Sequence, residues 1–305
     1  MTCKRILMIA PTPYFSDRGC HVRIYEEARA LQVRGYQVLI VTYHLGRDMG
    51  DVPVVRIPNV PWYRKLSAGP SWHKPYLDCL LLYKALNAAQ RFCPDVVHAH
   101  LHEGAFLAAL AKRSFKAPIL FDCQGSLTGE LLDHKFVSKG SLRYRLFDKL
   151  EDWVVRKSDY IIASSSATAA QLTKDFPARS SRIKALPDGV DVETFFPAEK
   201  RPALLQNLGV PPETKLIVFL GAMTEYQGVD LLLESLSLLA SERNDFHALL
   251  MGYPEAGYLA KAKDLGLQDV VTFTGKIDYA KTVDYLNLGD LAVSPKLSAT
   301  EANGK

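Results

Sequence analysis

The chain has 305 residues, 48% of them apolar and 23% charged, with a net charge of +4, the make-up of a soluble globular protein long enough for two domains. No apolar run reaches the ~18 residues needed to span a bilayer, and the start, Met1-Thr2-Cys3-Lys4-Arg5-Ile6, runs straight into a strand-like segment with no apolar leader and cleavage site. The cysteines, Cys3, Cys20, Cys79, Cys93 and Cys123, are odd in number, confined to the first half and without any CxxC spacing, which predicts reduced cytosolic thiols and speaks against metal ligation.

In chain order, Ile6–Ala10 is a short apolar run stopped by Pro11, a buried strand. A loop over Pro11–Gly19 leads to a helix over His21–Arg34, with Val22, Tyr25, Ala28 and Leu31 on one face and Gly35 as its stop. Strands are predicted at Tyr36–Tyr43 and Val52–Ile57, followed by a Pro-, aromatic- and basic-rich stretch over Val60–Pro75. A helix over Tyr76–Phe92, a strand at Asp95–His98, a helix over Glu103–Phe115 and a strand at Pro118–Asp122 follow. Ser141–Lys157 is amphipathic, with Leu142, Leu146, Leu150 and Trp153/Val154 on one face, and strands at Tyr160–Ala163 and Ile183–Leu186 complete the set. After residue 197 the pattern restarts: strands at Leu216–Leu220, His247–Met251, Val270–Phe273 and Leu291–Val293 alternate with helices over Val229–Ala240, Ala256–Leu265 and Tyr279–Leu288. Strands alternating with helices predict an α/β fold with parallel sheets and right-handed crossovers, about seven strands before the break and four after it.

The break is Leu186–Pro197, LPDGVDVETFFP. Lys+Arg exceed Asp+Glu by 27 to 16 over residues 1–186, and the balance is 10 to 17 over 187–305, so the halves carry about +11 and −7. Pro187 blocks a continuing strand, Asp188-Gly189 is a turn dipeptide in which Gly accepts positive φ, and Phe195-Phe196 form an apolar anchor. This predicts a first domain over 1–186, a hinge over 187–197 and a second domain over 198–305. The second set stops at Lys305, just past a strand end and without a closing helix, and reads as incomplete.

In open α/β sheets, ligands bind beyond the carboxyl ends of the strands. That rule selects the loops. In Pro11–Gly19, Gly19 at a helix N-terminus lets a phosphate or sugar approach backbone N–H groups, with Arg18 adding charge. The spacing is not GxGxxG, which counts against a dinucleotide oxidoreductase. His98, His100 and His102 fall within five residues, but no carboxylate or thiol cluster with ligand spacing accompanies them, so they read as structural or substrate-contacting. The remaining strand-end loops are Asp122–Ser126, Gly221–Gly228, Gly252-Tyr253-Pro254, Thr274–Ile277 and Ser294–Lys305. Together they point to one cleft more strongly than any one loop does.

Taken together, DVVHAH at Asp95–His100, SDYIIASS at Ser158–Ser165, LPDGVDVETFFP, the Gly221–Leu233 loop and helix, VTFTGKI at Val271–Ile277 and the closing GDLAVSPKLSATE resemble family 4 glycosyltransferases of the GT-B fold over essentially the whole chain. The resemblance implies two Rossmann-like domains facing across a cleft, the second holding a nucleotide diphosphate sugar and the first an acceptor. It implies hexose transfer with retention of configuration, without a metal or other cofactor, the leaving diphosphate being neutralised by helix ends and basic side chains. Glu301 matches the first acid of the family's E-x7-E motif, whose second acid would lie beyond Lys305. The implied catalytic residues are Glu301 and Gln124. The implied donor-binding residues are Gly221, Ala222, Gln227, Gly228, Gly252, Gly275, Lys276, Ile277 and Lys305, with Arg18, Gly19 and His100 in the acceptor or phosphate loops.

Three positions depart from the family pattern. Ala222 and Gln227 stand where Arg and Lys often grip the diphosphate, and Gln124 stands where a histidine is often found. They leave open a branch with other cations, such as Lys305, or a catalytically impaired nucleotide or sugar binder. Basic residues interleaved with aromatics at Trp62–Lys65 and Trp72–Lys74, with Arg143, Arg145 and Lys149 on the Ser141–Lys157 helix, predict peripheral contact with an anionic membrane on its cytoplasmic face and a glycan or lipid-linked acceptor. No nucleic-acid partner is expected.

Overall fold

The computed structural model describes residues 4–66, 71–133 and 136–296. The chain divides into two compact units, Met1–Val190 and Asp191–Lys305, the division falling inside Leu186–Pro197.

The first unit alternates strand and helix: β1 (Arg5–Ala10), α1 (Gly19–Val33), β2 (Gln37–Thr42), β3 (Val54–Arg56), α2 (Lys74–Phe92), β4 (Val96–His100), α3 (Leu101–Leu110), α4 (Lys112–Phe115), β5 (Ile119–Cys123), α5 (Leu127–Asp133), α6 (Leu142–Lys157), β6 (Tyr160–Ala163), α7 (Ser166–Asp175) and β7 (Ile183–Ala185). Its sheet runs β3-β2-β1-β4-β5-β6-β7, every pair parallel. Parallel strands covered on both faces are continuous apolar runs rather than alternating ones. That is why Leu7, Met8 and Ile9 are all fully buried although successive side chains point to opposite sides. Leu77, Leu81 and Ala85 of α2 and Ala105 and Ala108 of α3 share a core with Leu7, Ile9, Val97 and Phe121. The order reverses between β1 and β4, and the crevice beyond their carboxyl ends is where such sheets bind ligands.

Helix α7, missing from the sequence reading, and helix α6, expected over Ser141–Lys157, both start at serine caps. Ser165 caps α7 by accepting from the Thr168 N–H at 3.0 Å, and Ser141 caps α6 by accepting from the Tyr144 N–H at 3.1 Å. Helix α6 buries Val154 and Val155. The expected apolar face, in contrast, is split: Leu142 and Leu146 lie in solvent, because only the C-terminal half meets α3, through Trp153 and Phe106.

The second unit contains α8 (Pro202–Asn207), β8 (Lys215–Leu220), α9 (Val229–Glu242), β9 (Phe246–Met251), α10 (Ala256–Asp264), β10 (Val271–Gly275), α11 (Tyr279–Leu286) and β11 (Leu291–Ala292). Its parallel sheet has the order β10-β9-β8-β11. Val229, Leu232, Leu233 and Leu236 of α9 pack on Phe219, Ala248 and Leu250. Phe195 stacks on Tyr279 of α11 with ring centroids 5.5 Å apart, and Phe196 is exposed. Gly189 does not take positive φ and would have open space around a Cβ, so the expected glycine-dependent turn is absent. Among the described residues, no helix is long and apolar enough to cross a membrane.

Candidate active site

At the carboxyl end of the first sheet, strand register decides which side chains meet. His100 lies opposite Asp122 in the β4–β5 pairing, and the His100 Nδ1–H donates to Asp122 Oδ2 at 3.0 Å. Strand β4 runs on to His100, two residues past its expected end, so His98 and His100 share a face and their rings lie 4.2 Å apart. From α1, Arg23 reaches the same carboxylate. Its Nε donates to both Asp122 oxygens at 3.0 and 3.1 Å and its Nη2 to Oδ1 at 2.8 Å. Its Nη1 donates to Leu186 O at 2.9 Å and to Asp188 Oδ1 at 2.7 Å, and Nη2 also lies 2.9 Å from Glu27 Oε1. Gln124 donates its amide to Asp122 Oδ2 at 2.7 Å. One buried guanidinium thus ties α1, the end of β5 and the segment after β7 together.

The electrostatics follow from burial and partners. Burial alone would raise the Asp122 carboxyl, but the hydrogen bonds and charges of His100 and Arg23 hold it well below the usual carboxylate range. Glu27 lacks comparable donors, and burial together with the Asp122 charge pushes it up to about 7. Burial and the neighbouring His100 keep His98 neutral, well below the ordinary imidazole value. Glu27, His98, His100 and Asp122 offer ligand atoms within 4.8 Å of one another. The carboxylates absent near the histidines in sequence are therefore supplied by α1 and β5. Arg23 engages both of these carboxylates, at 2.9 Å from Glu27 and 2.8 Å from Asp122.

His100, expected in an acceptor or phosphate loop, ends β4 and is fully buried, with Nε2 lacking a hydrogen-bond partner among the described residues. Gln124, expected among the catalytic residues, lies beside this group through its amide bond to Asp122. Arg18 occupies the N-cap position of α1 without a side-chain cap and donates to Leu66 O at 3.4 Å, and Gly19 opens the helix with no atom within 4 Å of where a Cβ would lie. The loop before it is pinned by His21, whose Nδ1 accepts from the Ser16 N–H at 3.0 Å while Nε2 meets Thr12 Oγ1 at 2.5 Å.

Sequence reasoning missed Glu151. Its carboxylate accepts from the Leu127 N–H at 3.2 Å and from the Thr128 N–H and Oγ1 at 3.1 Å each, which caps α5 and fixes the Gly125–Thr128 loop. Although burial opposes its ionisation, His102 and Thr128 hold Glu151 down to about 2.

In the second unit, glycines let strand-end loops approach closely. The Gly221 N–H donates to Met251 O at 3.0 Å, and the Gly252 N–H donates to Gly275 O at 3.0 Å. A Cβ on Gly252 would lie 1.8 Å from Gly221 O, and one on Gly228 (φ +72) would lie 1.8 Å from Pro295 O. Real side chains do not fit either position. The loops after β8, β9 and β10 therefore meet one another through Gly221, Gly252 and Gly275, and the segment after β11 meets Gly228, the residue from which α9 starts. Ala222 is exposed, and Gln227 ends a single 3-10 turn over Glu225–Gln227. Ile277 packs on the core formed by Leu205, Leu216 and Leu288, so its side chain serves packing. Lys276 follows β10, and Lys296, which sequence reasoning passed over, follows Pro295; both are exposed. Glu301 and Lys305 lie outside the described residues.

Two parallel α/β sheets, one with its order reversing at β1 and β4 and one ringed by glycine-bearing strand ends, define the GT-B class. Structural likeness agrees. Sucrose-phosphate synthase of Thermosynechococcus elongatus superposes with a TM-score of 0.76 at 15% identity, over 96% of this chain and 75% of its own. HepE of Anabaena, solved in complex with UDP and glucose, superposes with a TM-score of 0.68 at 18% identity, over 95% and 73%. The Glycosyl transferase 4-like domain family matches residues 18–189 and the Glycosyl transferases group 1 family matches residues 214–304. D-inositol 3-phosphate glycosyltransferase 2 of Catenulispora acidiphila is 31% identical over 301 residues, covering 92% of this chain and 69% of the relative. The chain belongs to the glycosyl transferase 4-like family and is a glycosyltransferase.

Proposed function

We propose that the chain transfers a hexose from a nucleotide diphosphate sugar, held by the second unit, to an acceptor held by the first, with retention of configuration. The observation that carries the donor assignment is the close approach of strand-end backbones in the second unit, Gly252 against Gly221 and Gly275, and Pro295 against Gly228 at the start of α9. Glycine backbone at a helix N-terminus suits a diphosphate. Lys276 and Lys296 supply the positive charge that Ala222 and Gln227 do not, and they take the part of a preorganised clamp on the leaving group. In this reading no metal is needed for the transfer. The UDP and glucose bound by HepE and the inositol phosphate named for the Catenulispora relative favour a uridine nucleotide sugar and a polar, hydroxyl-bearing acceptor.

The acceptor crevice lies beyond β1, β4 and β5, where the Arg23–Asp122–His100 group fixes the strand ends. Its site of action in this reading is the cytoplasmic side of a membrane, with peripheral contact through the basic first unit. Isothermal calorimetry with a panel of nucleotide sugars, with and without EDTA, tests the donor reading. Saturable binding of one uridine or other nucleoside diphosphate sugar, unchanged by EDTA, is expected. Binding that requires a divalent ion, or no binding of any nucleoside diphosphate, would overturn it.

A further inference from the structure

Helix α6 carries an apolar row that the fold leaves bare. Leu142 and Leu146, one turn apart on the same stripe, are 84% and 64% exposed. Beside them the Arg143 guanidinium lies over the Trp72 ring at 5.9 Å. Trp72 is itself 74% exposed and leans on Phe136, with ring centroids 5.4 Å apart. Phe136 in turn meets Phe147 of α6 at 6.5 Å. The start of α6 and the segment preceding α2 therefore share one surface. Trp62, also exposed, is joined to α2 by its indole N–H, which donates to Tyr76 Oη at 3.0 Å. Arg143, Arg145 and Lys149 are exposed around the leucines, and Asp148 is the only acidic residue between positions 141 and 150.

We propose that this surface seats the first unit on the anionic face of a lipid bilayer. Leu142, Leu146 and Trp72 enter the boundary between headgroups and acyl chains, and Arg143, Arg145 and Lys149 meet lipid phosphates. The inference rests on the peripheral-contact reading above and assigns that contact to named residues. A short helix with bare leucines flanked by cations, next to an exposed tryptophan, matches what an interfacial helix requires. The charges select the occupant. A second copy of this chain packed on the same row by a twofold axis would set Arg143, Arg145 and Lys149 near their own equivalents, whereas anionic headgroups complement them, with an attraction that salt screens.

Sedimentation with phosphatidylglycerol-rich vesicles and with phosphatidylcholine vesicles tests the assignment. The wild-type chain is expected to sediment with the anionic vesicles only, to be released by high salt, and to shift its tryptophan emission to the blue. Leu142→Asp/Leu146→Asp is expected to lower the ratio of bound to free protein by about tenfold or more, given the apolar area removed from the interface. Arg143→Glu/Lys149→Glu is expected to do the same. Far-UV circular dichroism and sugar transfer to a water-soluble acceptor are expected to stay at wild-type levels in the leucine variant, since those side chains are exposed. If the wild-type chain does not bind, the peripheral-contact reading itself falls. If it binds and both variants bind equally, the assignment to α6 falls while peripheral contact stands. If light scattering shows a dimer that Leu142→Asp/Leu146→Asp dissolves, the row belongs to a second copy and the lipid assignment is overturned.

Discussion

Removing the Arg23 guanidinium while keeping its apolar stem, in Arg23→Met, breaks the contacts that hold the strand ends of the first unit. Asp122 is fully buried and Arg23 nearly so, and taking one partner from such a pair costs about 3–5 kcal/mol because the other charge is stranded. The link to Asp188 counts for little, since that carboxylate is 70% exposed and exposed pairs are worth at most ~1 kcal/mol. Asp122 keeps the His100 and Gln124 donors, which places the expected loss near the lower end, about 3 kcal/mol. For a unit of this size that corresponds to a fall in Tm of roughly 6–12 °C. Trp62, Trp72 and Trp153 all lie in the first unit, so tryptophan fluorescence during urea unfolding reports that unit alone. The acid limb moves as well. The low Asp122 pKa contributes stability above the unfolded carboxylate value of ~3.9 and is lost as pH falls through the folded value. Without Arg23 the folded value rises, so acid unfolding is expected to begin at higher pH. Arg23→Lys is expected to recover only part of the loss, since an ammonium cannot serve Asp122, Leu186 and Asp188 together. A loss below about 1 kcal/mol in Arg23→Met would refute the claim that Arg23 braces this site.

The remaining predictions are narrower. Glu151→Gln is expected to destabilise the first unit by about 2–3 kcal/mol at neutral pH, with the difference from wild type vanishing as pH falls from ~4.3 through about 2, because a depressed carboxylate contributes only while ionised; a pH-independent difference in urea midpoints would contradict the assigned cap. Gly252→Val is expected to weaken nucleotide-sugar binding by at least about tenfold, because its side chain would collide with Gly221 O, and unchanged calorimetric affinity in a folded variant would remove that loop from the donor site. Lys276→Ala and Lys296→Ala are each expected to weaken nucleoside diphosphate binding by about tenfold, in keeping with loss of a charge-assisted hydrogen bond; equal affinity in both would leave the diphosphate without the clamp proposed here. Gly189→Ala is expected to change stability by less than about 0.5 kcal/mol in urea unfolding, as its backbone conformation admits a Cβ and nothing crowds it.

The alternation of strands and helices was legible because buried parallel strands announce themselves as apolar runs bounded by Pro, Gly or Asp, as at Ile6–Ala10 and His247–Met251. Helix α7 was not, because SATAAQLTKD has little apolar periodicity; the cap at Ser165 was its only local mark. The Arg23 cluster was illegible for a different reason. Its members are separated by up to 165 positions, and only the β4–β5 register and the placement of α1 bring them together. On α6, helical spacing placed Leu142 and Leu146 on one apolar face with Leu150 and Trp153/Val154, and the structure leaves the first two exposed. Periodicity identifies a stripe but not whether a neighbour exists to cover it, and here the covering helix reaches only the far half. The strand-end loops of the second unit were picked out from the carboxyl-end rule and Gly or Pro placement, and the structure adds a reason for two of the glycines: each of Gly228 and Gly252 has another backbone where a side chain would be.

The account turns on sugar transfer by this chain, and the most direct measurement is a proton NMR time course with the nucleotide sugar selected by calorimetry and a panel of hydroxyl-bearing acceptors. The account predicts acceptor-dependent release of nucleoside diphosphate, with a new anomeric signal of the same configuration as the donor, and loss of both signals in Gly252→Val. An inverted anomeric centre would contradict retention, and an unchanged donor signal with every acceptor would contradict the assignment of this chain as an active transferase.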